Sequence, residues 1–324
     1  MSSVFYIGAT GYIGGSLLVE LVKRYPDWKI TALLRSDKHA DTIRALGLSL
    51  VMGSFEDHAL VTEQSRMADL VINTADSDNV AFNAAILAGM KQRFEEGKPK
   101  GTLIHTSGCA VCLDKKTDGK VDPQGRVWND INVDDIKAIT PEMMHGQVDV
   151  PILKAGEEGY LNAYILCPGG IVGTNKGPVK SARSFFTRFL AQLFSQLGGV
   201  YIGEGTSEFL FVHIDDLVDL YLRVIDIAVE GKDSGASPYE RYYYVTANGV
   251  AWKEIAGSIA GELQRRGVLK DGTPKAVKLV DLNNPLLAFV AMDEHMVAGR
   301  GNALGWKPRH VELKDYMEDG LDEI

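Results

Sequence analysis

A chain of 324 residues, 45% hydrophobic and 24% charged, has the balance of a globular protein with one large domain or two ordinary ones, which excludes a disordered, collagen-like or fibrous chain. With 34 Lys and Arg against 43 Asp and Glu the net charge is −9, so a globally basic nucleic-acid surface is disfavoured and an anionic ligand has to be met by local groups. Three cysteines are too few and too oddly counted for a disulfide framework, and reduced thiols are expected.

Val4 to Ile7 form a short apolar run, Gly8-Ala-Thr-Gly-Tyr-Ile-Gly14 interrupts it, and Ser16 to Tyr25 then shows helical spacing through Leu17, Leu18, Leu21 and Val22. The same alternation continues with strands over Lys29–Leu34, Leu48–Met52, Leu70–Asn73 and Thr102–Thr106. Helices are expected around Asp37–Leu46, Ala59–Met67 and Ala81–Glu95. Five apolar runs separated by helix-length segments describe βαβ units. The fold class is therefore α/β, a doubly wound parallel sheet of Rossmann type with helices on both faces.

The first turn carries the chemistry. Glycines at 8, 11 and 14 let the chain turn sharply, let backbone approach a pyrophosphate and let helix pack close to strand. The N–H groups at the helix start favour the anion. Gly8, Thr10, Gly11, Tyr12, Ile13 and Gly14 are thus candidate nucleotide-binding residues, in the strand–turn–helix context that such a triplet needs. At the end of the second strand an acidic residue would suit a ribose hydroxyl and an arginine a 2′-phosphate. The chain has Arg35 there, with Ser36 and Lys38 as helpers, so NADP(H) is favoured over NAD(H). The alternative for Arg35 is an exposed arginine on a solvated loop with no ligand, and Asp37 keeps NAD(H) open as a minor option.

Segments spread over nearly the whole chain then resemble one superfamily. They are Gly8–Gly14, Leu103-Ile-His-Thr-Ser107-Gly, Leu166-Cys-Pro-Gly-Gly-Ile-Val-Gly173, Phe211-Val-His-Ile-Asp-Asp-Leu217 and Ala303-Leu-Gly-Trp-Lys-Pro308. Together they look like the extended short-chain dehydrogenase/reductases, alongside nucleotide-sugar epimerases, dehydratases and dihydroflavonol-type reductases. The resemblance implies that Ala75 and Asp76 flank the cofactor and that Ser107 orients a substrate oxygen. It also implies that Pro168, Gly169, Gly170 and Ile171 pack on the nicotinamide. Residues 1–172 would form the dinucleotide domain, completed by about 208–230, and 173–324 mainly a smaller substrate lobe. A homodimer through two sheet-flanking helices is a further implication.

The chain departs from that pattern where the superfamily's redox members carry Tyr-x-x-x-Lys. Here it reads His145-Gly-Gln-Val-Asp149, a segment similar to one in some fungal members, with His145 at the tyrosine's place and Asp149 at the lysine's. Histidine can exchange a proton near neutrality. An Asp four residues on would share its helix face and orient the ring. The alternative is a helix-start histidine and a solvated aspartate, and it stays open.

Other constellations are weaker. Cys109-Ala-Val-Cys112 is one pair without a second, read as small buried residues lining the cleft, and His213-Ile-Asp215-Asp216 is read as structural, so no metal is expected. Asp114 to His145 reads as a long loop over the active-site end. Lys176, Lys180 and Arg183 precede a helix over Ser184–Leu197, where they could bind a diphosphate or merely be solvated. Tyr242 to Thr246 is expected as a strand near the second lobe, and Lys154 as a surface residue. The apolar run Pro285–Met292 is too short to cross a bilayer and the N-terminal run too short for a signal peptide, so a cytoplasmic protein without membrane or nucleic-acid partners is expected.

These features converge on an NADP(H)-dependent oxidoreductase reducing a carbonyl or conjugated carbonyl of a small molecule, with Ser107, His145 and Asp149 as its catalytic set. A non-redox isomerase, epimerase or lyase using His145 as base, and a non-catalytic dinucleotide sensor, are the alternatives.

Overall fold

The computed structural model describes residues 2–113, 118–278, 290–291 and 293–312; most of the apolar run at 285–292 lies outside them. Each early apolar run becomes a parallel strand, β1 (Ser3–Ile7), β2 (Lys29–Leu34), β3 (Ser49–Met52), β4 (Leu70–Asn73) and β5 (Gly101–Thr106), and all but the edge strand β3 are largely buried on both faces. Between them lie α1 (Tyr12–Arg24), α2 (Ala40–Arg44), α3 (His58–Met67) and α4 (Val80–Glu95). Alternation along β1 sorts the two faces. Val4 and Tyr6 pack with Leu17, Leu21 and Ile43, whereas Phe5 and Ile7 pack with Val61, Phe82 and Ile86.

The segment expected as a bare loop before His145 carries short elements. A 3₁₀ turn covers Cys109–Cys112, β6 (Trp128–Asn129) pairs in parallel with Met296–Val297, and α5 (Val133–Lys137) follows. Asp135 fastens it by accepting from the Asn129 amide at 2.9 Å and from Arg126. Residues 114–117 lie outside the described set. Then come α6 (Gly146–Glu157) and β7 (Leu161–Pro168), which pairs with β5.

From there the chain enters a smaller unit of β8 (Gly170–Val172), α7 (Phe185–Leu197), β9 (Val200–Ile202) and β10 (Glu208–His213). Helix α8 (Ile214–Glu230) returns to the large sheet, packing Leu217, Tyr221 and Val224 against the face covered by α1. The tyrosine run forms β11 (Tyr242–Val245). Rather than lying near the second lobe, it pairs in parallel with β7 and becomes the edge of the central sheet. An aromatic run suits either place, since both bury a strand, and only the long-range pairing decides. The seven strands run β11-β7-β5-β4-β1-β2-β3. The smaller unit adds β12 (Asn248–Ala251), antiparallel to β10, and α9 (Trp252–Arg265) over a core of Phe186, Phe194, Phe209 and Trp252. No helix among the described residues is long and apolar enough to cross a membrane.

The strand order reverses between β1 and β4, so a crevice opens at the carboxyl ends of those strands. There the two units meet and enclose a cleft of about 660 Å³.

Candidate active site

The glycine turn forms one end of this cleft. Gly8 sits at φ +100°, and a Cβ there would lie 2.4 Å from Thr74 Oγ1. One at Gly14 would lie 2.3 Å from the Gly8 carbonyl. Only glycine fits either position. Gly11, whose amide donates to the Gly8 carbonyl at 2.8 Å, stands at the N-cap of α1 without a side-chain cap, and no acidic residue occupies the first helical turn. A helix start with neither a side-chain cap at Gly11 nor an acidic residue in its first turn is suited to an anion. Thr10, Gly11, Tyr12 and Ile13 line the cleft, and the Tyr12 hydroxyl donates to the Gly173 carbonyl at 2.6 Å, tying the helix start to the smaller unit.

Arg35 lines the cleft beyond the end of β2, its guanidinium 5.2 Å from the Phe55 ring centroid. Ser36 and Lys38, expected as its helpers, are exposed but do not line the cleft; the chain turns into a 3₁₀ element over Asp37–His39 and carries them past it. Ala75 and Asp76 line the cleft after β4, and Asp76 Oδ1 shapes the turn by accepting from the amides of Asp78 and Asn79.

His145 lines the cleft, but its partner is not the one its spacing suggests. It is an N-cap residue with φ 63°, the one non-glycine in the left-handed region among the described residues, and so it precedes α6 rather than belonging to it. Its Nδ1 lies 2.8 Å from Asp78 Oδ1 and 3.2 Å from Ser77 Oγ, both in the turn after β4. Its Nε2 abuts Gly108, where a Cβ would come within 2.8 Å. With Nδ1–H given to Asp78, Nε2 is the ring atom left for chemistry.

Asp149 is fully buried and does not touch His145's ring. Its Oδ2 accepts from the Ser107 hydroxyl at 2.7 Å and the Tyr242 hydroxyl at 2.8 Å. Burial pushes the carboxyl up to about 6 while those two donors hold it down. Its Oδ1 lies 3.9 Å from His105 Nε2, and neither atom has a hydrogen-bond partner among the described residues. Burial presses the His105 imidazole down to about 3, which keeps it neutral. Ser107 is thus a member of a buried brace between β5, α6 and β11. The residue presented to the cleft is the next one, Gly108.

Beyond His145 the lining turns apolar. Pro168, Gly169, Gly170 and Ile171 form one wall, and Met144, Phe185, Phe186 and Phe209 another. Arg183 also reaches this lining, whereas Lys180 turns to the Gly177 carbonyl and Lys154 is an exposed residue of α6. Cys109 donates to the Cys167 carbonyl and Cys112 meets the Tyr244 hydroxyl. Burial raises both thiols well above their ordinary range, as suits packing residues. Glu294 completes the wall. Nothing local in the sequence marks Glu294, Asp78 or the three phenylalanines, because each arrives through tertiary folding. His213, Asp215 and His310 could converge on an ion, but His213 Nδ1 accepts from the Asp215 amide and His310 Nδ1 pairs with Asp216. That is how a helix start is clasped.

A glycine cradle at an uncapped helix start, a basic group at one end and an apolar chamber at the other fit an extended dinucleotide with a small molecule beside it. The fold is shared with reductases and epimerases of known structure. Residues 1–93 match the NmrA-like family. Oxidase ucsJ of Acremonium sp is 25% identical over 333 residues, covering 97% of this chain and 95% of that one. Among solved structures, vestitone reductase from alfalfa (Medicago sativa) superposes with TM-score 0.62 at 14% identity over 99% of this chain and 97% of its own. A nucleoside-diphosphate-sugar epimerase from Pseudomonas aeruginosa does so with TM-score 0.68 at 14% identity, over 99% and 96%.

Proposed function

We propose that the protein is an NADP(H)-dependent oxidoreductase that reduces a carbonyl or conjugated carbonyl of a small organic molecule. The observation that carries this reading is the run of one cleft from the Gly8–Ile13 turn and Arg35, past His145, to the apolar chamber at Phe186 and Phe209. Likeness to a reductase and an oxidase over nearly the full chain supports it. A nicotinamide dinucleotide, when bound, supplies the hydride. Gly8, Thr10, Gly11, Tyr12 and Ile13 would hold its diphosphate at the start of α1, and Arg35 a ribose phosphate. Pro168 to Ile171 would pack on its ring. His145 would hold the proton at Nε2 and release it to the carbonyl oxygen as carbon takes the hydride, while Asp78 keeps Nδ1–H engaged. Ser107 and Asp149 stabilise the frame behind this site.

The likeness to an epimerase keeps a proton-transfer reaction as a second reading, with His145 as base. Loss of NADPH absorbance with purified protein against aldehydes, ketones and enones, with NADH in parallel, tests the first. Turnover with NADPH that falls by about 10²–10⁴ in His145→Phe is expected from loss of a positioned acid. Tight NADPH binding with no carbonyl reduced across the panel would overturn it in favour of the second.

A further inference from the structure

Glu294 is an unusual component for an apolar chamber. It is 1% exposed and forms part of the cleft wall together with Gly169, Gly170, Phe186 and Phe209. Its Oε2 accepts from the Leu210 amide at 3.0 Å, which fixes the carboxyl against β10. The Leu210 carbonyl is the atom a Cβ at Gly169 would strike, so the acid stands close behind the Pro168-Gly169-Gly170 turn. Its Oε1 is equally buried and has no hydrogen-bond partner among the described residues. A buried carboxyl oxygen left unpaired is a costly feature, and one kept in a cleft wall calls for a ligand atom.

The surroundings decide which atom. Phe186 and Phe209 stack with centroids 4.7 Å apart, and Trp252 lies behind them. Of the titratable groups near the carboxyl, Cys109 and Cys112 are thiols that burial keeps protonated. Asp293 is already engaged by the Glu208 amide and by His295. No ion pair with a cation neutralises Glu294 among the described residues. The charged residues that share the cleft lining, Arg35, Asp76, Asp78, His145 and Arg183, come from other elements. Burial, with Asp293 adding to it, raises Glu294 to about 8, so at neutral pH it carries a proton to donate. A neutral acid of this kind donates to an uncharged oxygen and is unfavourable beside an anion.

We propose that Glu294 anchors the substrate, its Oε1–H donating to a carbonyl oxygen of an uncharged, aromatic-sized molecule lodged against Phe186 and Phe209. This deepens the reading of the cleft as a carbonyl-reducing site and rests on it for the word substrate, although the binding it describes can be measured without turnover. It also gives the oxygen-holding role to a group in the cleft wall, since the Ser107 hydroxyl is engaged with Asp149.

The test uses three probes of one size, 2-naphthaldehyde, 2-methylnaphthalene and 2-naphthoate, titrated into the full chain and followed by quenching of tryptophan fluorescence. At pH 6.5 the aldehyde is expected to bind about tenfold more tightly than the hydrocarbon, as one satisfied buried donor allows, and the naphthoate more weakly than either. The aldehyde preference should fall as pH passes 8 in the native protein, persist to pH 9 in Glu294→Gln, whose amide donates at every pH, and vanish in Glu294→Leu. A preference that survives in Glu294→Leu, or that is flat with pH in the native protein, overturns the proposal. So does failure of both neutral probes to bind. The first outcome would mean that another group in the cleft lining holds the carbonyl. The Gln variant keeps the test decisive if the Leu variant does not fold. NADPH consumption with the aldehyde is followed separately: preference without consumption would leave Glu294 as an anchor and remove the reductase reading, whereas consumption indifferent to Glu294 would do the reverse.

Discussion

Ser107 gives its hydroxyl hydrogen to Asp149 Oδ2 at 2.7 Å, and the bond engages that side chain inside the protein while the adjoining Gly108 lines the cleft. The serine at the end of β5 therefore reads as a fastener between sheet and helix. Tyr242 completes it from the edge strand by donating to the same oxygen.

Replacing Ser107 by Ala should consequently reach stability before chemistry. Asp149 would keep the Tyr242 bond and lose the other, at a cost of about 1–2 kcal/mol. The urea midpoint of the Ala variant should fall with unchanged slope. NADPH affinity should stay within about twofold, well inside the margin that separates a structural effect from loss of a contact. A loss of turnover comparable to that of His145→Phe, with stability intact, would return Ser107 to the reacting centre.

Arg35 is the cleft's basic group at the end of β2, held over Phe55. If it meets a ribose phosphate, Arg35→Ala should weaken NADPH by about 10–100-fold, the worth of one or two charge-assisted hydrogen bonds, and leave NADH nearly unchanged. Parallel titrations of the two nucleotides measure this. Equal weakening of both would place the guanidinium on some part they share.

Buried acids with raised values shape the pH dependence of folding, Asp130 at about 6 among them. Asp149 and Glu294 both have folded values above their ordinary ones, at about 6 and about 8, so the folded chain holds their protons more tightly than the unfolded chain. Each favours folding below its unfolded value, and that advantage is lost as pH rises through the folded one. His105, pressed down to about 3, acts in the opposite sense: its contribution is complete above its unfolded value near 6.5 and is lost in acid. Between about pH 6.5 and 8 Glu294 acts nearly alone, and stability should decline across that interval. Chemical denaturation at the two ends, in the native protein and in Glu294→Gln, should show the decline in the first and not in the second.

The parallel sheet was legible because strands buried on both faces read as apolar runs, most clearly in β1, β2 and β4, spaced by helix-length segments. The glycine turn was legible for a related reason, since contacts across a few residues exclude every other side chain. His145 illustrates where such reasoning fails. The spacing to Asp149 pairs the two only if both lie within one helix, whereas His145 takes a left-handed cap conformation that sends its ring across to the turn after β4. Asp78 belongs to another strand–helix connection, and no local pattern relates the two. Glu294 lies further still, reaching the cleft by crossing β10 from a distant part of the chain.

The position of β11 bears on how the molecule is assembled on the ribosome. Its four tyrosine-rich residues complete the sheet beside β7, yet they are synthesised only after the Phe185–His213 portion of the smaller unit. Until residue 245 has emerged, β7 offers a bare hydrogen-bonding edge of the kind that invites pairing with another chain. Neither unit can be finished before the other is begun. The nascent protein therefore has to pass through about a quarter of its length with a sticky edge exposed, and chaperone demand should be greatest in that interval.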